Sequence, residues 1–179
     1  MRAISLAEAN KIIDGTFASA ETRQAYALAA IVLDAGGRVK AFQKQDGASL
    51  MRFEIAYGKA FGALALNRSS RQVLQKFREK PYFMGDLHEL ADGPLFMEGG
   101  GQLIRDPSGE IVGAIGVTGD VNEVDDLCAI AGIRAAGFKT DDDFSDADMR
   151  RLNIKRGPPI EDPQKAKGEP DAPRIPRRA

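Results

Sequence analysis

The chain has 179 residues, 43% of them hydrophobic and 28% charged, with a formal net charge of −1. That is enough for one domain with a real core. It lacks the clustered positive excess that phosphate binding needs, and with no Trp and 3 Tyr it offers few platforms for stacking bases. Cys128 is the single cysteine and His88 the single histidine, which excludes an intrachain disulfide and any site built from two histidines of one chain. Residues 1–20 carry Arg2, Glu8, Lys11 and Asp14, and no apolar run approaches the ~18 residues of a membrane span. The expectation is a cytoplasmic protein with no membrane or nucleic-acid partner.

Ser5 and Glu8 have capping-box spacing, and Ala9, Ile12, Ile13, Phe17 and Ala20 follow at helical intervals. This predicts a helix over 6–20. Ala27–Leu33 is nearly all apolar, Asp34–Gly37 is a turn, and Val39–Gln43 alternates. That reads as a β-hairpin whose first strand is buried on both faces. Ser49 is placed to cap a helix with a stripe of Phe53, Tyr57, Ala60, Phe61 and Leu64, the other face carrying Arg52 and Lys59. A second short helix begins at Ser69–Ser70, with Gln72 completing a capping box, buries Val73, Leu74 and Phe77, and is limited by Pro81.

Residues 81–98 read as an irregular, apolar loop containing Phe83, Met84, Leu87, Leu95, Phe96 and Met97. Such a loop covers a core or lines a pocket. Gly99–Gly101 precede a second hairpin, Gln102–Arg105 and Ile111–Val117, turned at Asp106-Pro107-Ser108-Gly109. Asp120 and Glu123 then have capping-box spacing for a helix with a stripe of Val124, Leu127, Cys128, Ala131 and Ala135, closed by Gly137 and Phe138.

After residue 138 the character changes: residues 139–179 hold ten Lys/Arg, nine Asp/Glu and six of the nine prolines. A short helix fits 146–153, capped by Ser145. From 157 to 179 too little apolar surface remains to offset ordering, so this stretch is expected to be disordered or to act as an arm on a neighbouring subunit. The chain thus divides into a ligand-binding domain, 1–138, and an extension, 139–179. Two local hairpins imply an antiparallel sheet of four strands, or five if 93–97 adds one, flanked by helices in an α+β fold.

Three segments carry a resemblance. They are Ile31–Gly37 with Ala41–Ala48; Glu54–Ala60; and Gly99–Gly101 with Gly113–Gly119 and Asp125–Cys128. In order and spacing the chain resembles, over residues 5–138, the GlcG/HbpS family of haem-binding and haem-degrading proteins, which includes the C-terminal domain of PduO-type proteins. The resemblance implies a profilin-like α/β/α sandwich, symmetric homo-oligomers from dimers to octamers, and in some members haem near a subunit interface. It supplies no iron ligand that transfers to this chain. Lys44-Gln45 stands where the family usually has Arg-Met, and the charged extension is outside the usual pattern.

Candidate site residues follow from the chemistry. Gly99, Gly100 and Gly101 offer bare amides, and Gly116, Thr118 and Gly119 run from a strand into a helix N-terminus, a setting suited to a carboxylate or propionate. Against this stands turn-making and close packing, with Asp120 as the cap. Lys44, Asp46, Glu54 and Lys59 are candidates for acid/base work or for ion pairs at a subunit contact; residues 54 and 59 point to different sides of their helix. His88 is the candidate haem-iron ligand or proton carrier, against an ordinary surface role. Packing accounts for Cys128, Met84, Met97 and Tyr57. The favoured reading is an oligomer that binds haem or another small ligand. The alternative is an isomerase or lyase on a small organic acid, using Lys59, Glu54, Asp46 or His88; the third is an interaction scaffold.

Overall fold

The computed structural model describes residues 3–164. Its elements are α1 (Leu6–Thr22), β1 (Ala29–Asp34), β2 (Val39–Lys44), α2 (Arg52–Leu66), α3 (Ser70–Glu79), α4 (Pro81–Leu90), β3 (Gly101–Arg105), β4 (Ile111–Thr118), α5 (Asn122–Ala135) and α6 (Asp146–Leu152). The four strands form one antiparallel sheet in the order β2-β1-β4-β3. The expected α+β architecture is therefore present with four strands; 93–97 adds no fifth. Among the described residues no helix is long and apolar enough to cross a membrane.

Strand alternation sorts the core into two layers. Ala30, Val32, Ile104, Ile115 and Val117 point to α1 and α5, where they meet Ile12, Ile13, Val124, Cys128 and Ile133. Ile31, Leu33, Leu103 and Ala114 point the other way, to Ala56, Ala60 and Ala63 of α2. Glycines decide how closely the layers approach. Gly116 pairs with both Ile31 and Gly101. A Cβ on Gly116 would lie 1.9 Å from the Ala56 carbonyl oxygen, and one on Gly101 would lie 2.3 Å from that of Lys59. The backbone of α2 thus rests directly on the sheet.

Helix ends mostly follow the local signals. The Ser5/Glu8 and Ser69/Gln72 capping boxes form, and Ser145 caps α6. Gly137 (φ +87°) and Phe138 close α5 by donating to Arg134 and Ile133 carbonyls, a Schellman end. Five expectations need correction. Pro81 starts α4 rather than only ending α3, because proline suits the first turn, where its missing N–H is not needed. Ser49 does not cap α2, whose N-cap is Met51 with no side-chain bond. Asp120 does not cap α5; its carboxylate accepts from the Tyr26 and Val121 amides instead. On α2 Ala60 is buried and Tyr57, Phe61 and Leu64 pack half-buried on the core as expected, but Phe53 is exposed at the end of an aromatic ladder with Phe42, and Lys59, expected on the outer face, is buried among the small residues. On α3, Phe77 is exposed and the first turn, Ser70–Gln72, is buried.

The extension packs back on the domain. Lys139 bridges Arg105 at the outer edge of β3, Arg105 donates to Asp141 at 2.6 Å, and Phe144, Met149 and Ile154 form a small core of their own. Within 157–179, residues 157–164 are described and lie against Arg71 and Arg23; the rest of that segment falls outside the described residues.

A paired substitution tests the glycine contact. Gly116→Ala should destabilise the fold by about 2–3 kcal/mol, since a methyl there displaces α2. Gly85→Ala on open α4, where an added Cβ meets nothing within 4 Å, should stabilise by up to about 1 kcal/mol. Urea unfolding of both variants gives the comparison.

Candidate functional site

At the end of the sheet where β1 starts and β4 stops, α2 brings Lys59 down between the layers. Its side chain is 3% exposed. The ammonium donates to the Val117 carbonyl at 3.1 Å and to Asp125 Oδ2 at 2.9 Å, with Asp125 coming from α5. The other Asp125 oxygen accepts from the Asp120 amide at 3.1 Å. Burial pushes the Asp125 carboxyl up to about 6, against the pull of the Lys59 charge. Beside it, Asp126 is also pushed up by burial, opposed by the Arg71 charge.

The two glycine segments meet here, Gly101 pairing with Gly116, but the Gly100 and Gly101 amides are not bare. Gly100 donates to Asp126 at 2.9 Å, and Gly101 donates to Ser70 Oγ at 2.7 Å. Gln102 also donates its side-chain amide to Asp126. Gly100 (φ +104°) accepts from the Val117 amide, and a Cβ on it would lie 3.0 Å from Lys59 Nζ. Gly99 packs against Asp126 and Asn122, and Gly119 against Ala27 and Leu28. These glycines make room for Lys59 and the carboxylates, and protein acceptors take the Gly100 and Gly101 amides.

The outward-facing chemistry at this end is Arg52, in the first turn of α2. It donates from Nη1 to Thr118 Oγ1 at 3.0 Å, and its Nε is buried without a partner among the described residues. Exposed apolar side chains surround the pair in the chain: Leu50, Met51 and Phe53 flank Arg52, Val121 follows Thr118, and Tyr26 is tied to Asp120. Leu50, Met51 and Phe53, next to Arg52 in the chain, are thus exposed apolar side chains, as is Val121 beyond Thr118.

The other candidates are elsewhere. Glu54, Asp46 and Lys44 are exposed and make no side-chain contact with Lys59. His88 is exposed near the end of α4. At about 100° per residue it lies roughly opposite Phe83 and Leu90, which form the exposed apolar face of that helix. Among the described residues, no group of three or more His, Cys, Asp or Glu side chains is placed to hold a metal ion.

The family model described as haem degrading protein HbpS-like matches residues 4–134. The chain belongs to the HbpS-like family. Among solved structures, this HbpS-like domain is similar to the PduOC:heme complex (TM-score 0.69, 22% identity, covering 78% of this chain and 99% of that one). It is also similar to Klebsiella pneumoniae ORFY (0.69, 23%, 76% and 92%). A double mutant of Streptomyces reticuli HbpS is a third (0.65, 23%, 75% and 87%). At these identities the likeness shows the fold. Among curated proteins none matches.

Several residues of this HbpS-like domain escaped sequence reasoning: Arg52, Ser70, Arg71, Asp125 and Asp126. The pair Asp125-Asp126 carried a usable signal, since two acids beside Val124 and Cys128 on a buried stripe demand internal partners. Arg52 and Arg71 carried none, because charged first-turn residues are usually solvated.

The raised Asp125 carboxyl fixes a sign. The folded protein holds this proton to about pH 6, while the unfolded chain releases it near 3.8. Between these values the folded state binds more protons, so this group's contribution to stability falls as pH rises. Asp125→Asn removes that fall. Urea unfolding from pH 3.5 to 7.5 should show the stability difference moving in favour of the Asn variant between about pH 4 and 6, and flat above.

Proposed function

We propose that this HbpS-like domain binds haem, or another flat acidic small molecule, as a homo-oligomer. The observation that carries the reading is Arg52: a half-buried guanidinium braced by Thr118, with an Nε–H that has no partner among the described residues, next in the chain to exposed Leu50, Met51 and Phe53. A porphyrin needs this combination, apolar contact for its faces and a cation for a propionate. In this reading Thr118 serves as a brace for the arginine. Gly99–Gly101, Gly116 and Gly119 act one step back, by letting Lys59 and α2 sit where they do. The haem complex of PduOC, a protein of similar fold, supports the reading.

His88 is the iron ligand we assign. It is the one histidine of the chain and is exposed, on α4 rather than beside Arg52. A porphyrin seated between two copies would meet Arg52 from one and His88 from the other. Haem would supply a redox-active iron; the residues of this chain supply the apolar seat, the cation and the imidazole. The second reading, a small-acid isomerase or lyase, draws on the Lys59–Asp125 pair, which holds a proton near pH 6. The Val117 carbonyl and Gly100 enclose that pair.

Haemin titration tests the proposal. The Soret band should shift and saturate near one haem per subunit. Arg52→Ala should weaken binding about 10-fold or more, for haemin and for metal-free protoporphyrin alike, as expected for a lost charge-assisted bond. His88→Ala should change the Soret position with haemin only. Absence of any Soret shift in the unaltered protein would sink the haem reading, and turnover of small organic acids, lost in Lys59→Met, would put the enzyme in its place.

A further inference from the structure

The extension ends its described course against Arg23 at the end of α1, and its geometry is that of an arm with a hinge and a catch. At the hinge, Arg71 donates from Nε to the Pro158 carbonyl at 3.0 Å and from Nη2 to Asp142 at 2.6 Å, and Gln72 donates to the Lys155 carbonyl at 2.7 Å. Arg71 is itself buried, and Gly157 is pressed so close that a Cβ would lie 2.5 Å from its Nε. Pro158 and Pro159 follow at once; their fixed φ makes the next stretch stiff.

The catch lies on the opposite helical layer. Arg23, which ends α1, pairs with Asp162 at 3.1 Å, and its carbonyl accepts from the Gln164 side chain. Arg71 belongs to the α2 and α3 side and Arg23 to the α1 and α5 side, so the arm joins the two layers. Arg23 stands three residues before Tyr26, whose amide donates to Asp120, two residues after Thr118. The catch is therefore three residues along the chain from the Tyr26–Asp120 hydrogen bond. Its contacts include a partly exposed ion pair and the Gln164 side-chain amide, whereas the hinge is centred on a buried guanidinium.

We propose that residues 157–164 form a strap that pivots at Gly157 and latches on Arg23, and that release of the latch loosens the Tyr26–Asp120 rim. A ligand in the mouth would then be held longer with the strap closed; that consequence alone rests on the proposed function.

Hydrogen–deuterium exchange on the full chain and on Asp162→Asn tests the strap. Exchange should rise about threefold to fivefold over residues 159–164 and also at the Tyr26 and Val121 amides, with α3 unchanged. Raising NaCl from 0.05 to 0.5 M should move the unaltered protein in the same direction. A rise confined to 159–164, or none, overturns the proposal. Haemin transfer to a scavenging globin should be faster from Asp162→Asn by a similar factor, and equal rates overturn the gate. If the unaltered protein takes up no haemin, the proposed function fails, and the rim amides still decide for or against the strap.

Discussion

The seat of α2 on the cross-strand pair Gly101 and Gly116 is the contact on which the rest of the structure depends. Only residues without a Cβ let the Ala56 and Lys59 carbonyls come so near the strands. The helix contributes Ala56, Ala60 and Ala63 to the same contact. A helix this low has no room to turn Lys59 to solvent. The ammonium is trapped at the end of the sheet, and burying it requires a carbonyl and a carboxylate within reach. Val117 and Asp125 supply them, the first from the sheet and the second from the far layer. One packing decision thus makes a polar tie between the two helical layers unavoidable.

That tie explains why the glycine turn is spent on structure. Asp125 and Asp126 are buried side by side, and each needs donors. Asp125 takes Lys59 and the Asp120 amide, while Asp126 takes the Gly100 amide and Gln102. Amides that would make an anion cradle on an open surface serve here as internal partners for acids. The guanidinium nearest this tie that is not spent on a carboxylate is Arg52, which donates to Thr118.

Features set by neighbours in the chain were legible in the sequence. Both hairpins, the Ser5 and Ser69 capping boxes, the Ser145 cap and the Gly137 stop depend on a few adjacent residues, and all formed. Features set by distance between elements were not. The periodicity of α2 has two apolar faces, one aromatic and one small, and the eye favours the larger side chains. Which face rests directly on the strands is decided by glycines 42 and more residues away, on β3 and β4. The same preference put Lys59 on the outer face, although its place among Ala56, Ala60 and Ala63 was a clue to its burial. Pro81 misled for a simpler reason: a proline after a helix marks an end, but the same residue is a favoured first residue of the next.

The extension shows where composition arguments stop. Counting apolar residues after position 138 underestimates its order, because much of what holds it is charge. Arg105 with Asp141 and Arg71 with Asp142 are anchored on the core side by β3 and by the buried first turn of α3. The guanidinium groups would be costly to bury without the acids that the extension brings, and the extension would have little to pack on without the guanidinium groups. The first turn of α3 serves both sides: Ser70 holds Gly101 of the glycine turn, while Arg71 and Gln72 hold the extension. A segment that looks appended in sequence is therefore coupled, through one helical turn, to the part of the domain that positions Lys59.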